Sequence, residues 1–455
     1  MSLLEHKQAQ ALLADTEVTA ADVRGCKDRL TKFLQRYLPL FYREEQRELA
    51  EVVVQGKLSG LQRKTSEPIA YAADRERKPV QHFVGAGKWD DEAVMAELRR
   101  HASEEIGDAD GIFIVDGSGF AKKGTESCGV ARQWCGRLGK VENCQVGVFL
   151  NYVTEHGYAP VDRQLYLTKE WAADAERREK CHVPERIVFQ EKWRIGLDLL
   201  ERSKDVPHRW VTADDEFGRV TAFRSELRFC RENYVLDVPC NTLVRDLSRR
   251  DDGRRPQFER AEVWAKRQPA KRWKTIHVRP GAKGPIKVQV LRARVQTKGE
   301  DGCVGPTETL LVTRPLDQEK RTAYHVSNAD RTEKTWKLVY VGSERHRVEE
   351  MLQAGKGEVG LGQYEMRSWV GWHHHMTLSM MALWFLVLER RRVGKKNTGR
   401  DRPANAGNIH SPAPAHAAEL CADCAGDPPS FAAYGGGSHL PLLQDNQGLP
   451  AATQA

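Results

Sequence analysis

The chain has 455 residues, 40% of them hydrophobic, with 71 Lys and Arg against 63 Asp and Glu and a formal charge of +8. That length carries two or three domains and a sizeable core, and so small a surplus makes the distribution of charge more informative than its total. The longest apolar run, Met376 to Leu388, falls short of the roughly 18 residues that span a bilayer, and residues 1–20 carry Glu5, His6 and Lys7 without an apolar core, which excludes a secretory start and sets the expectation of a cytoplasmic protein whose ten Cys are buried thiols.

In chain order, residues 1–20 read as a helical or frayed leader. From Asp22 to about Glu105 apolar positions recur at helical spacing, as in Leu30, Phe33, Leu34, Tyr37 and Leu38, with further helices near 43–56 and 90–104. Residues 1–105 are therefore expected to form an all-α N-terminal module. At Gly111 the period changes. Ile112 to Val115 is a short β-branched run, a strand buried on both faces that delivers Asp116 at its C-terminal end. Extended segments follow around Gly129–Cys135 and Gln145–Val153. Three consecutive strands with an acid on the first is how an RNase H-like fold begins.

Pro184–Lys204 reads as an amphipathic helix with Ile187, Phe189, Trp193, Ile195, Leu197 and Leu200 on its core face. It leads into a strand, Trp210–Ala213, that ends at Asp214. A strand, a crossover helix and a parallel strand put Asp116 and Asp214 at one edge of one sheet, where open α/β sheets build their sites. Phe223–Cys230 is expected to be a helix and Tyr234–Val238 a strand. Residues 106–240 thus make the first part of an RNase H-like core.

Residues 241–330 differ. Between Arg245 and Lys298 there are 17 Lys and Arg against 5 Asp and Glu, a local +12 that exceeds the charge of the whole chain. Such a density suits a surface tracking a phosphate backbone, since each neutralised phosphate releases a counterion; a solvated loop without a partner is the competing reading. Arg249, Arg250, Arg254 and Arg255 are the candidate phosphate contacts, with Trp264 and Trp273 in the same tract. Strand-like runs follow at Ile286–Val295, Glu308–Thr313 and Thr322–Val326. The 135 residues between Asp214 and Glu349 exceed what an uninterrupted fold needs there, so a β-rich insertion is expected. Helices resume at Thr332 and run to about Arg392 with a break at Gly360–Gln363, making 331–396 the C-terminal part of the core. Residues 397–455, rich in Ala, Pro, Gly, Ser and Asn, read as a disordered tail; Cys421 and Cys424 form a lone CxxC, a weak zinc signal. His373–His375 have no partner at a metal-ligand spacing.

Arg345, Glu349 and Lys356 fall in the spacing R-x3-E-x6-K, which on a helix puts all three on one face. An ordinary solvated pair would share that spacing. Asp116 and Asp214 set it apart, because two Asp at strand ends with a Glu on a helix is an arrangement for holding two divalent metals.

With the stretches VDGSGFAKKG, GVARQWCGRLGKVENCQVGVFLNY, TADDEFG and KGEVGLGQYEMRSW, the chain from about 25 to about 396 resembles the DDE transposases of bacterial insertion sequences, in the branch with a YREK-type signature. One departure is Gly342, which stands where the signature has Tyr; Tyr340 lies close by. The resemblance implies cleavage at element ends and joining of 3′ hydroxyls to target DNA, with two Mg²⁺ ions, or Mn²⁺, on Asp116, Asp214 and Glu349. It makes Asp116 the bridging ligand, and favours Asp214 over the adjacent Asp215 by its position before Phe217–Gly218. It gives Arg345 and Lys356 phosphate contacts near the scissile bond. It implies double-stranded DNA as partner, both terminal inverted repeats and target, and a nucleoid-associated dimer. Its N-terminal region binds the terminal repeats, a role for GLQRKTSEPIA and QHFVGAGKWD; a helical cap that only packs on the core is the alternative. Second-strand cleavage through a hairpin forces a base out of the stack, which Trp264 or Trp273 could receive unless buried in the insertion's own core. Two rivals stand beside this reading: an inactive or domesticated DNA-binding derivative, and an RNase H-like nuclease without strand transfer.

Overall fold

A computed structural model describes residues 25–247, 257–281, 284–299, 302–316 and 321–397. The leader, Arg249, Arg250, Arg254, Arg255, Cys421, Cys424 and the tail beyond Asn397 lie outside the described residues. The chain begins with helices α1 (Cys26–Gln35), α2 (Glu44–Leu58), α3 (Ser66–Ala72), α4 (Arg77–Gly85) and α5 (Asp91–Ile106). Strands β1 (Ile112–Ala121), β2 (Ala131–Cys135), β3 (Lys140–Thr154) and β4 (Gly157–Leu165) follow, then short helices α6 (Lys169–Ala173) and α7 (Ala175–Lys180), and α8 (Lys192–Arg202). Next come β5 (Trp210–Ala213), α9 (Asp215–Gly218), α10 (Thr221–Phe229), β6 (Asn233–Asp237), β7 (Leu243–Asp246), β8 (Glu259–Arg260) and α11 (Ala261–Lys266). The last elements are β9 (Lys274–Gly281), β10 (Gly284–Lys298), β11 (Val304–Pro315), β12 (Ala323–Ser327), α12 (Thr335–Ser343), α13 (Arg345–Glu358) and α14 (Trp369–Asn397).

The strands share one sheet, in the order β2-β3-β1-β5-β6-β12-β11-β10-β7-β8, with β4 on β3 and β9 on β10. Its β1-β5-β6 centre is parallel and its flanks antiparallel, as in an RNase H-like core. The strands of 241–330 extend the same sheet through β12, which pairs with β6.

Both faces of the central strands are covered, which is why they read as unbroken apolar runs. Phe113 and Val115 pack with α8, α10, α14 and the N-terminal helices. Ile112 and Ile114, pointing the other way, pack under α12 and α13. The even-numbered positions of β1 therefore face α13, and Asp116 is the next of them.

The N-terminal helices are an apolar cap on α14. Asp90 starts α5 by accepting from the backbone N–H groups of Glu92 and Ala93 at 3.0 and 3.1 Å. The Trp89 ring stacks on His374 with centroids 3.7 Å apart. Lys64 donates from Nζ to the carbonyls of Lys57 (2.7 Å), Ser59 (2.6 Å) and Glu358, tying the end of α2 to the end of α13. His373, His374 and His375 are buried in α14, where burial pushes His373 to about 3 and His374 to about 4, so they are neutral core side chains.

Some element boundaries differ from the sequence reading. Helix α8 starts at Lys192, not Pro184, because Pro184 makes a turn with Ile187 (3.0 Å) that Arg178 holds by donating to the Ile187 carbonyl at 2.7 Å. Strand β4 and its turn, with Gly157 at φ 147°, are additional. The break before α14 spans Val359 to Ser368. Among the described residues no cysteine forms a disulfide; Cys128, Cys135, Cys144 and Cys181 are buried, whereas Cys230, Cys240 and Cys303 are exposed. Among the same residues no helix is long and apolar enough to cross a membrane.

Candidate active site

The parallel registers bring three acids into a row. Val115 pairs with Ala213 and Ala213 with Leu236, so the next positions, Asp116, Asp214 and Asp237, lie level on adjacent chains, where neighbouring strands run about 4.8 Å apart. The row continues into β12, where His325 is the cross-strand partner of Asp237.

Asp214 is not on a strand. It caps α9, accepting from the Glu216 N–H at 3.0 Å, and Asp215 is the first residue of that helix. Asp215 pairs with Arg219 at 3.0 Å with half its side chain exposed. The turn that places Asp214 needs Gly218: a Cβ there would lie 1.9 Å from the Asp237 carbonyl oxygen.

Helix α13 lies over the row. Arg345, in its first turn, holds Asp237 with Nε at 3.0 Å and Glu349 with Nη1 at 3.1 Å. Three turns on, Lys356 donates to the Ser118 hydroxyl at 2.8 Å, on the face of β1 that carries Asp116. The R-x3-E-x6-K face is thus laid across the strand ends, and Glu349 keeps 61% of its side chain exposed.

Charge is crowded here. Burial first, then the charge of Asp214, push Asp116 up to about 7; Glu349 adds to this while Arg345 and Lys356 oppose it. Burial likewise leads the shift of Asp214 to about 6, with Glu216 and Asp215 adding and Arg345 opposing. Asp237 behaves oppositely: burial works against its ionisation, but His325 and Arg345 outweigh it and hold it below the usual carboxylate range. At Asp116 and Asp214 the neighbouring cations thus fail to offset burial and like charge, whereas at Asp237 they outweigh burial. Oxygen donors in that condition fit a hard divalent ion such as Mg²⁺, and Asp116, Asp214 and Glu349 are the carboxylates at this edge that could hold one.

Sequence reasoning missed Asp237, His325 and Ser118. The signal for Asp237 was an acid within the expected strand Tyr234–Val238, one strand along from Asp214; for His325 it was a basic side chain in an otherwise apolar run. Among the described residues, the group of three possible metal ligands whose donor atoms lie within 4.8 Å of one another is a different one, Asp108, Glu155 and His156. It sits beyond the opposite end of β1, with Glu155 and His156 exposed.

Trp264 is fully buried and donates its indole N–H to Asp246 at 2.9 Å, so it offers no face to a base. Trp273 is half-buried, with the Arg314 guanidinium 3.9 Å from its ring centroid. Gly342, at the signature's Tyr position, faces β6 and β12: a Cβ there would meet Val235 at 3.3 Å and His325 Nδ1 at 3.5 Å.

Two comparisons bear on this site. The sequence model of a family described as DDE superfamily endonuclease matches residues 36–297, more than half of the chain. A curated relative, the probable transposase for insertion sequence element IS701 of Microchaete diplosiphon, is 25% identical over 222 residues, which are 48% of this chain and 56% of the relative. The chain therefore matches little more than half the length of that relative.

Proposed function

The chain belongs to the DDE superfamily of endonucleases, and from that membership we propose that it is an insertion-sequence transposase that cuts DNA at the ends of its element and joins the freed 3′ hydroxyls to target DNA. Asp116, Asp214 and Glu349 would hold two Mg²⁺ ions, with Mn²⁺ as a substitute. Such ions, when bound, supply an activated water and stabilise the leaving oxygen. The protein's own groups do the rest. Arg345 offers a planar two-pronged donor and Lys356 a point charge to phosphate oxygens on either side of the carboxylates. Asp214 is held by its helix cap, so its carboxylate is oriented before substrate arrives.

The observation that carries this reading is the level row of Asp116 and Asp214 across β1 and β5 with Glu349 laid over it by α13. We assign the core to 106–240 and 331–396. The inserted 241–330 is a DNA-contacting extension of the sheet, and 1–105 is the module for the terminal inverted repeats, acting in a dimer on DNA. The test is a supercoiled-plasmid nicking and strand-transfer assay with Mg²⁺ and DNA carrying the element's ends. Nicks followed by joined products support the proposal. Nicks without joining make the protein a nuclease, and repeat binding without nicks makes it an inactive DNA-binding derivative.

A further inference from the structure

We infer that Asp237 and His325 are positioning residues that anchor Arg345 independently of Glu349, so that the arginine stays at the carboxylate edge when Glu349 turns to a metal ion. The inference rests on the proposed nuclease chemistry.

The two contacts of Arg345 use different edges of its guanidinium. Nε binds Asp237 Oδ2 at 3.0 Å, and Nη1 binds Glu349 Oε1 at 3.1 Å. Asp237 is itself fixed from behind: its Oδ1 lies 2.6 Å from His325 Nδ1, and His325 Nε2 lies 3.3 Å from the Thr313 hydroxyl on β11. The chain Thr313–His325–Asp237–Arg345 runs from the extension of the sheet to α13. Exposure rises along it, with side chains 10% exposed at His325, 20% at Asp237, 28% at Arg345 and 61% at Glu349. The shielded end is therefore the fixed end. Glu349 is the contact that can leave, since water replaces it at little cost, whereas removing Asp237 takes from Arg345 its more shielded ion-pair partner.

This arrangement gives Arg345 two states from one anchor. With Glu349 on the arginine, the site is closed by an ion pair. With Glu349 on a metal ion, the Nη1 edge is released toward a phosphate oxygen while the Nε edge keeps its place.

The test uses the full chain with Asp237→Asn, Asp237→Glu, His325→Gln, Arg345→Ala and the double variant Asp237→Asn/Arg345→Ala. Misplacing a catalytic contact by about 1 Å can lower rate about 100-fold. Asp237→Asn should therefore lower kcat for nicking on that order while KM for end-containing DNA stays within about threefold. Asp237→Glu should recover part of the loss, and His325→Gln should lose less than Asp237→Asn. The double variant should be no slower than Arg345→Ala alone, since both substitutions remove one function. Additive losses, or losses that follow melting temperature across the set, would overturn the inference. A second readout is independent of cleavage: hydrogen exchange at the Arg345 Nε–H, followed by NMR of arginine-labelled protein, should accelerate in Asp237→Asn and stay slow in Glu349→Ala. The reverse pattern overturns the anchor. A parent protein that cleaves no DNA with Mg²⁺ or Mn²⁺ refutes the proposed function instead, and the exchange measurement still decides the anchor.

Discussion

Asp116 and Asp214 stand one residue beyond the Val115–Ala213 partners of the parallel pair β1–β5, side by side although 98 residues apart in sequence. Burial raises both, and the charge of Asp214 adds to the reluctance of Asp116 to ionise. If they hold metal with Glu349, then Asp116→Ala, Asp214→Ala and Glu349→Ala should each lower nicking by at least about 1000-fold, the several kcal/mol that metal assistance supplies, while gel shifts with terminal-repeat DNA stay near normal. Asp215, exposed and paired with Arg219, should tolerate Ala within about threefold, as surface ion pairs do. An inactive Asp215→Ala beside an active Asp214→Ala would reverse the assignment.

A pH effect follows from the same crowding. Asp116 is raised to about 7 and Asp214 to about 6, burial leading in both. A carboxyl with a higher pKa folded than unfolded binds more protons in the folded state, so its contribution to stability is present at low pH and is lost as pH rises through the folded value. Asp116→Asn cannot ionise. Without divalent ions it should melt higher than the parent at about pH 8, and the gap should close below about pH 3, where both states are protonated. Mg²⁺ should then raise the melting temperature of the parent more than that of the variant, and nicking at limiting Mg²⁺ should fall as pH drops from about 8 to about 6, because a ligand must be deprotonated. A parent that melts no lower than Asp116→Asn at the higher pH would remove the electrostatic argument.

Much of this was legible from sequence because strands buried on both faces announce themselves as apolar runs. Ile112–Val115 and Trp210–Ala213 are each followed by an acid, and the helix that leads into β5 returns the chain parallel to β1, although β1 runs on to Ala121 and leaves Asp116 within the strand. The spacing of Arg345, Glu349 and Lys356 needed only a helix to be read. Asp237 and His325 were not legible as a pair, since what joins them is the antiparallel register of β6 with β12, and 88 residues of extension separate the two. Pro184–Gln190 misled for a local reason: Ile187 and Phe189 fit a helical period, yet Phe189 packs edge-on to Tyr166 from a chain that Arg178 holds in a turn.

The +12 of Arg245–Lys298 makes a prediction that depends on charge alone. Neutralising Arg249, Arg250, Arg254 and Arg255 together should flatten the slope of log affinity against log salt by about 0.9 for each phosphate that the protein no longer neutralises. Affinity for unrelated duplexes should fall as much as for the terminal repeats, since phosphate contacts carry no sequence. An unchanged slope would make the tract a solvated loop.

The two tryptophans of the extension should behave differently, and the difference comes from burial. Trp264 is fully buried at the start of the extension's packing and donates to Asp246, so Trp264→Ala should destabilise the protein by about 3–5 kcal/mol, the usual range for removing a buried aromatic. Its effect on cleavage should vanish when rates are expressed per folded molecule. Trp273 is only half-buried, with its face under Arg314 at 3.9 Å. A base turned out of the stack recovers about 1–3 kcal/mol on an aromatic face, and Trp273 would offer one if Arg314 moved to a phosphate. Trp273→Ala should then leave first-strand nicking near normal and lower the yield of any hairpin product, read on denaturing gels of end-labelled DNA. Trp273→Phe should restore part of that yield, because stacking needs a ring and not an indole N–H. Urea melts of both Ala variants separate the roles: a large loss of stability for Trp273→Ala with no change in hairpin yield would place it in the core beside Trp264, and linear breaks without hairpins in the parent would remove the need for a base-receiving ring altogether.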